Sequence, residues 1–325
     1  MTVSIEELLA DVEQREPLRR EDGLSNVPME RLVVGGRRCV LKHLSPDVDW
    51  VMRLSNDTVC RPALAHDLGL YDQVSPWVDS TVLGVGYDGS TRSWALLMRD
   101  AGEEFLDEGA APIPEDRQDG FLRDMAGLHA GMWGFEHVEG LCRPHDIYGL
   151  FSQASLAREA ERGPLEGVPS FVEPGWLSVG EAEPVLVEDM HALRSDSGPL
   201  VRALRETPQT LVHHDWKGGN LGTRPDGRTV LVDWAFPGAN GGCADIAWYL
   251  ACNCDRLTTT KEAVIDSYRG HLEQAGIDTT PWFARQLELA LLGAFLVVGW
   301  SKGGDPAELA WWVDRVAPVA KELAR

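Results

Sequence analysis

The sequence predicts an α+β chain of two lobes, a small β-rich lobe followed by a large helical one. Three observations predict it. The first hundred residues carry two hairpin signals, the character turns helical after Arg99, and a short β-rich block at residues 210–234 then interrupts the helices. At 325 residues and 44% hydrophobic content the chain suits two lobes, because single cores stop growing near ~250–300 residues.

In chain order, Ser4-Ile5-Glu6-Glu7 reads as a capping box that opens an amphipathic helix, with no export segment before it. Residues 22–26 form a turn-rich loop. Residues 29–34 and 38–41 are strands around Gly35-Gly36, a pair suited to a tight hairpin turn. A helix is expected over 61–71, with Pro62 in its first turn, where a missing N–H costs nothing. Residues 82–87 and 93–98 form a second hairpin around Asp88-Gly89-Ser90. From Glu115, Phe121, Leu122, Met125, Leu128 and Met132 recur at helical spacing, and helices continue to about Glu206. Beyond the β-rich block, helices begin near Ala244, Thr260 and Pro281, and the last covers 305–324. The longest apolar run, 289–300, is about half the ~20 residues of a membrane span and is expected to be a buried core helix.

Composition narrows the function. The formal net charge of −21 excludes the basic surface that nucleic acid requires, and it would attract a cationic substrate, although solubility alone would also account for it. The six cysteines have no framework spacing, so reduced thiols and a cytoplasmic location are expected. Cys243 and the Cys252/Cys254 pair lack the second close pair that a zinc site needs.

The segment 213–233 carries chemistry. Asp226-Gly227 signals a two-residue turn, which would set Asn220 directly opposite Asp233 on one face, with Cβ atoms ~4.5–5.5 Å apart. An amide oxygen and a carboxylate so placed could clamp Mg²⁺. Asp215 lies on the loop leaving the apolar strand 210–213 and can face the same site. A carboxylate free to accept a proton, beside an Asn/Asp metal pair, is what phosphoryl transfer requires.

His213-x-Asp215, four residues, then Asn220, followed by a strand ending in Asp233, resembles the aminoglycoside phosphotransferase and choline kinase family. The similarity extends over most of the chain. It implies a protein-kinase-like fold, with residues 1–99 as the nucleotide-binding lobe and 100–325 as the catalytic and substrate-binding lobe. It implies transfer of the γ-phosphate of ATP or GTP to a hydroxyl of a small molecule. Asp215 would be the catalytic base, Lys217 would reach the transferring phosphate, and Asn220 and Asp233 would hold Mg²⁺. Lys42 would contact the nucleotide phosphates, Ser25 and Asn26 would lie in the loop over them, and Met98 would belong to the hinge, 97–100, that receives the adenine. Asp245 matches an aspartate that braces the catalytic loop. Only five of the 30 basic residues are lysines, and Lys42 and Lys217 fall where a compact ammonium suits phosphate.

Three departures stand out. His214 occupies the usual middle glycine of the loop, and no Gly-x-Gly-x-x-Gly precedes Lys42. Pro62 stands where a glutamate partner for Lys42 is expected, with Asp67 or Asp57 as substitutes. These features keep two alternatives open: a peptide Ser/Thr kinase, motivated by Lys217, and a kinase-like binding module with weakened catalysis. His213 and His129 read as structural.

Overall fold

In a computed structural model, which describes residues 1–18, 27–106, 109 and 111–325, the small lobe is built on a six-stranded sheet. Its spatial order is Val3–Ser4, Val82–Asp88, Ser93–Arg99, Arg37–Leu44, Met29–Val34 and Val12–Leu18. Gly35 and Gly36 both have left-handed backbone, φ 55° and 73°, so the first hairpin closes on two residues with Val34 opposite Arg37. That turn sets the register that places Lys42 opposite Met29 on one side and Leu96 on the other.

Two small-lobe expectations are corrected. Ser4 does cap a helix, accepting from the Glu7 N–H at 3.1 Å, but Ile5–Leu8 is a single turn, because the chain re-enters the sheet at Val12. The helix expected over 61–71 is two pieces, Arg61–Asp67 and Leu70–Val74, separated at Gly69 with φ 67°. A left-handed glycine ends the first piece, as it does at many helix C-termini.

The large lobe is helical. Glu115–Gly131 buries Phe121, Leu122, Met125 and Leu128, as their spacing predicts. At the centre of the core lies Phe283–Val298. With the turn that follows, the segment Phe283–Lys302 is long and apolar enough to cross a membrane by composition, but most of it is buried inside the protein, as in a core helix.

The β-rich block forms two small sheets that deliver the candidate site. Thr210–Val212 pairs with Gly238–Asn240, and Leu221–Thr223 pairs with Thr229–Leu231. The register of the second pair departs from expectation by one residue: Leu221 faces Leu231, and the Val232 N–H bonds the Asn220 carbonyl at 3.1 Å. The loop holds three residues, Pro225-Asp226-Gly227, closed by hydrogen bonds between Arg224 and Arg228 and from Gly227 to Arg224. Gly227 alone of the three has positive φ, 85°, so this is a three-residue hairpin loop ending in a left-handed glycine rather than a two-residue turn. Asn220 and Asp233 are therefore not a directly opposed pair. Asp233 lies one residue past the pairing, in left-handed backbone with φ 65°.

Candidate active site

The strand Thr210–Val212 runs into His213, His214 and Asp215, all buried. What shapes this loop is Asp245, a fully buried carboxylate near the start of the helix Cys243–Cys252. It accepts hydrogen bonds from the His213 N–H at 2.9 Å, the His214 N–H at 2.6 Å and His129 Nε2 at 3.1 Å. His129 in turn meets the Tyr268 hydroxyl at 2.8 Å. Burial pushes the Asp245 carboxyl up, but the His129 hydrogen bond and the neighbouring histidines outweigh it and hold the value below the usual range.

His214 has φ 64°, a conformation in which a glycine has no steric cost. Its side chain compensates. Nδ1 donates to the Phe236 carbonyl at 2.9 Å, and Nε2 accepts from Asn240 Nδ2 at 3.0 Å, which requires a neutral ring. His213 Nδ1 accepts from the Asp215 N–H at 3.2 Å, and its ring stands edge-on to Trp234. Burial lowers the pKa of both histidines, opposed in part by Asp245. Below the ~6.5 of an unfolded histidine, the unfolded chain thus binds protons that the folded one does not, so stability present above that pH declines as pH falls through it. Urea unfolding at about pH 5.5 should show a lower midpoint than at about pH 7.5. The drop should shrink in His214→Asn, because asparagine tolerates left-handed backbone.

Asp215 is only 4% exposed, and its carboxylate is held from three sides. Oδ1 accepts from Trp248 Nε1 at 2.9 Å, and Oδ2 accepts from Lys217 Nζ at 2.9 Å and Asn220 Nδ2 at 2.7 Å. A carboxylate offers about four acceptor positions, so one remains for a hydroxyl. Burial pushes Lys217 down, but Asp215 and Asp233 outweigh it and raise its pKa, so it stays an ammonium.

Lys42 reaches across from the small lobe to Asp233, with Nζ to Oδ1 at 2.8 Å. Burial pushes the Asp233 carboxyl up, and Lys42 and Lys217 more than reverse this, bringing it to about 2. The proposed substitutes for the missing glutamate are engaged elsewhere. Asp57 accepts from the Val59 and Arg61 N–H groups ahead of the helix Arg61–Asp67, and Asp67 holds Thr2. The unanticipated carboxylate is Asp49, buried, capping the helix Trp50–Leu54 through the Val51 N–H at 2.8 Å. Burial raises its pKa, and the charge of Lys42 opposes the rise.

These residues line one cleft of about 2710 Å³ between the lobes, with Lys42 and Met98 on the small-lobe side and Asp215, Lys217, Asn220 and Asp233 on the other. Ser25 and Asn26 lie outside the described residues. Asn220 spends its Nδ2 on the Asp215 carbonyl and carboxylate, which turns its Oδ1 away from them. Asn220 Oδ1 and the Asp233 carboxylate are hard oxygen donors, of the kind Mg²⁺ takes together with phosphate oxygens and water. Besides Asp49, sequence reasoning missed the role of Trp248. Its signal was there, three residues after Asp245 and so on the same helical face.

No protein-family model matches the chain, and no curated protein matches it. Solved structures match it in shape. Choline kinase LicA from Streptococcus pneumoniae aligns at TM-score 0.52 and 14% identity, over 98% of this chain and 97% of its own. The GDP complex of aminoglycoside 2'-phosphotransferase-IIIa aligns at 0.52 and 13%, over 98% and 96%. Choline kinase from Cryptosporidium parvum Iowa II aligns at 0.52 and 10%, over 97% and 92%. At these identities the likeness is one of fold: the chain has the two-lobed, kinase-like fold of these proteins.

Proposed function

We propose that the chain is a nucleotide-dependent phosphotransferase that moves the γ-phosphate of ATP or GTP to a hydroxyl of a small molecule. The observation that carries this reading is the convergence of Asp215, Lys217, Asn220, Asp233 and Lys42 on one cleft, with Lys42 meeting Asp233 across the lobes. The fold supports it, since its neighbours are choline kinases and aminoglycoside phosphotransferases, solved with AMP in one case and GDP in another. In this reading residues 1–99 hold the nucleotide, with Met98 beside the base and Ser25 and Asn26 over the phosphates. Residues 100–325 hold the acceptor.

Each residue then has a task. Asp215, through its remaining acceptor position, orients the hydroxyl and takes its proton. Lys217 and Lys42 neutralise charge on the phosphates, and the Asp233 carboxylate keeps Lys42 extended into the cleft. Asn220 and Asp233 would hold Mg²⁺, which supplies charge neutralisation on the β- and γ-phosphates. Purified protein with Mg·ATP or Mg·GTP and a panel of alcohols should release nucleoside diphosphate only when an acceptor is present. Lys42→Met should cut kcat/KM by about 10²-fold, the scale of losing one electrostatic donor. Calorimetry that detects neither ATP nor GTP binding would overturn the reading.

A peptide serine or threonine is the second reading, favoured by the extent of the cleft, 2710 Å³ against the ~300–1,000 Å³ of ordinary small-ligand pockets. Faster turnover of peptides than of alcohols in the same assay would select it.

A further inference from the structure

We propose that the acceptor carries a sizeable apolar body, which lies along a hydrocarbon wall of the cleft while its hydroxyl reaches Asp215. This rests on the phosphotransferase reading and refines its acceptor. The wall comprises Val48 and Trp50 from the small lobe and Phe151, Leu165, Val168 and Phe171 from the large one. Phe171 is 60% exposed and Val48 51%, so both hold apolar surface against water in the ligand-free protein. Both line the cleft, and apolar surface exposed inside a cleft marks an interaction site. Trp50 and Phe151 pack ring to ring across the two lobes, with centroids 6.0 Å apart.

The wall and the candidate active site line the same cleft, and the elements that carry them are packed together. Asp215 is held by Trp248, on the helix Cys243–Cys252. One turn on, the Ala251 carbonyl accepts from Lys302 Nζ at 2.6 Å. The turn Gly299–Lys302 packs on the helix Val168–Ala182 so closely that Gly175 has no room for a Cβ against the Trp300 carbonyl. That same helix carries Val168 and Phe171. On the opposite side, Arg53 bonds Glu159 and ties the helix after Lys42 to the large lobe.

Charge points the same way. The chain is strongly acidic, yet the buried Asp49 and the half-buried Glu159 and Glu308 of this part of the cleft already have hydrogen-bond partners. Glu159 is taken by Arg53, Glu308 by Lys261 and Trp312, and Asp49 by the Val51 N–H. Asp305 caps the helix Pro306–Leu323. Asp47, Glu166 and Asp255 are exposed to solvent, where a charge attracts a cation weakly. Beside the wall, then, the acidic charge is either partnered or exposed to solvent, and the apolar surface is the recognition element there.

The test uses n-alkyl β-D-glucosides from methyl to octyl, below their micelle concentrations, with choline beside them. Binding to the full chain with Mg·ATP is followed by tryptophan fluorescence, since Trp50, Trp248 and Trp300 line the cleft, and ADP release is measured in parallel. Affinity should rise roughly threefold per added methylene, somewhat under the ~4-fold of complete burial. The series should flatten in Val168→Ser/Phe171→Ser while the ATP dissociation constant stays within twofold. A flat series in the native protein, or choline bound more tightly than the octyl glucoside, overturns this inference and leaves the phosphotransferase reading standing. Failure of ATP or GTP to bind overturns that reading itself.

Discussion

Asp215→Asn should lower kcat by roughly 10³-fold while nucleotide affinity stays within about twofold, a loss within the 10²–10⁴-fold range of a positioned general base. The native carboxylate is 4% exposed, and Trp248, Lys217 and Asn220 already fill three of its acceptor positions. Asp215 lines the cleft, so the remaining position is available to an incoming hydroxyl. An amide keeps the volume but cannot take the proton. Its NH₂ must also face a donor, either the Trp248 indole or the Lys217 and Asn220 pair, so the side chain is misdirected as well as inert. Lys42 and Met98, on the far side of the cleft, are untouched, so nucleotide affinity should change far less than kcat and serves as the internal control. Single-turnover ADP formation and calorimetry with Mg·ATP measure the two quantities. A loss below tenfold would mean that another group takes the proton.

Local signals were legible in the sequence, and contacts spanning long stretches of chain were not. Gly35-Gly36 was readable because a two-residue hairpin turn needs left-handed backbone at both positions, and adjacent glycines meet that need without cost. Asp226-Gly227 gave the same signal and misled. Pro225 extends the loop to three residues and Asp226 keeps negative φ, which shifts the register by one. Asp233 still joins the site, because its own positive φ ends the strand and turns the carboxylate toward Lys42, and no pattern of residue types announces that for an aspartate. The Lys42–Asp233 pair spans 191 residues of chain, so the partner of the lysine was sought in the next helix, where Pro62, Asp57 and Asp67 do not provide it. His214 in a glycine position looked like a defect for the same reason. The groups that hold it, Phe236 and Asn240, arrive from more than twenty residues away.

The largest stability effect is expected at Asp245, which never touches the cleft. Asp245→Ala removes the acceptor of three buried donors at once: the His213 N–H, the His214 N–H and His129 Nε2. Breaking a buried, hydrogen-bonded charge costs ~3–5 kcal/mol, because the groups left behind have no water to turn to. At ~2 °C per kcal/mol for a chain of this size, the melting temperature should fall by roughly 5–10 °C. Asp245→Asn should cost less but not little, since one amide oxygen can serve one backbone N–H while its NH₂ confronts the other. The pH dependence separates this role from simple packing. Native Asp245 has a lowered pKa, so its stabilisation is present above the unfolded value of ~3.9 and lost as pH falls through the folded one. The Asp245→Asn protein should lack that part of the acid transition, and a packing role would leave the transition in place. The loss should also reach the chemistry. Without Asp245 the backbone of residues 213 and 214 is free to leave the left-handed turn that aims Asp215, so kcat should fall well below the native value at temperatures where the variant is still folded. Nucleotide affinity, to which Lys42 and Met98 contribute from the small-lobe side, should change less than kcat.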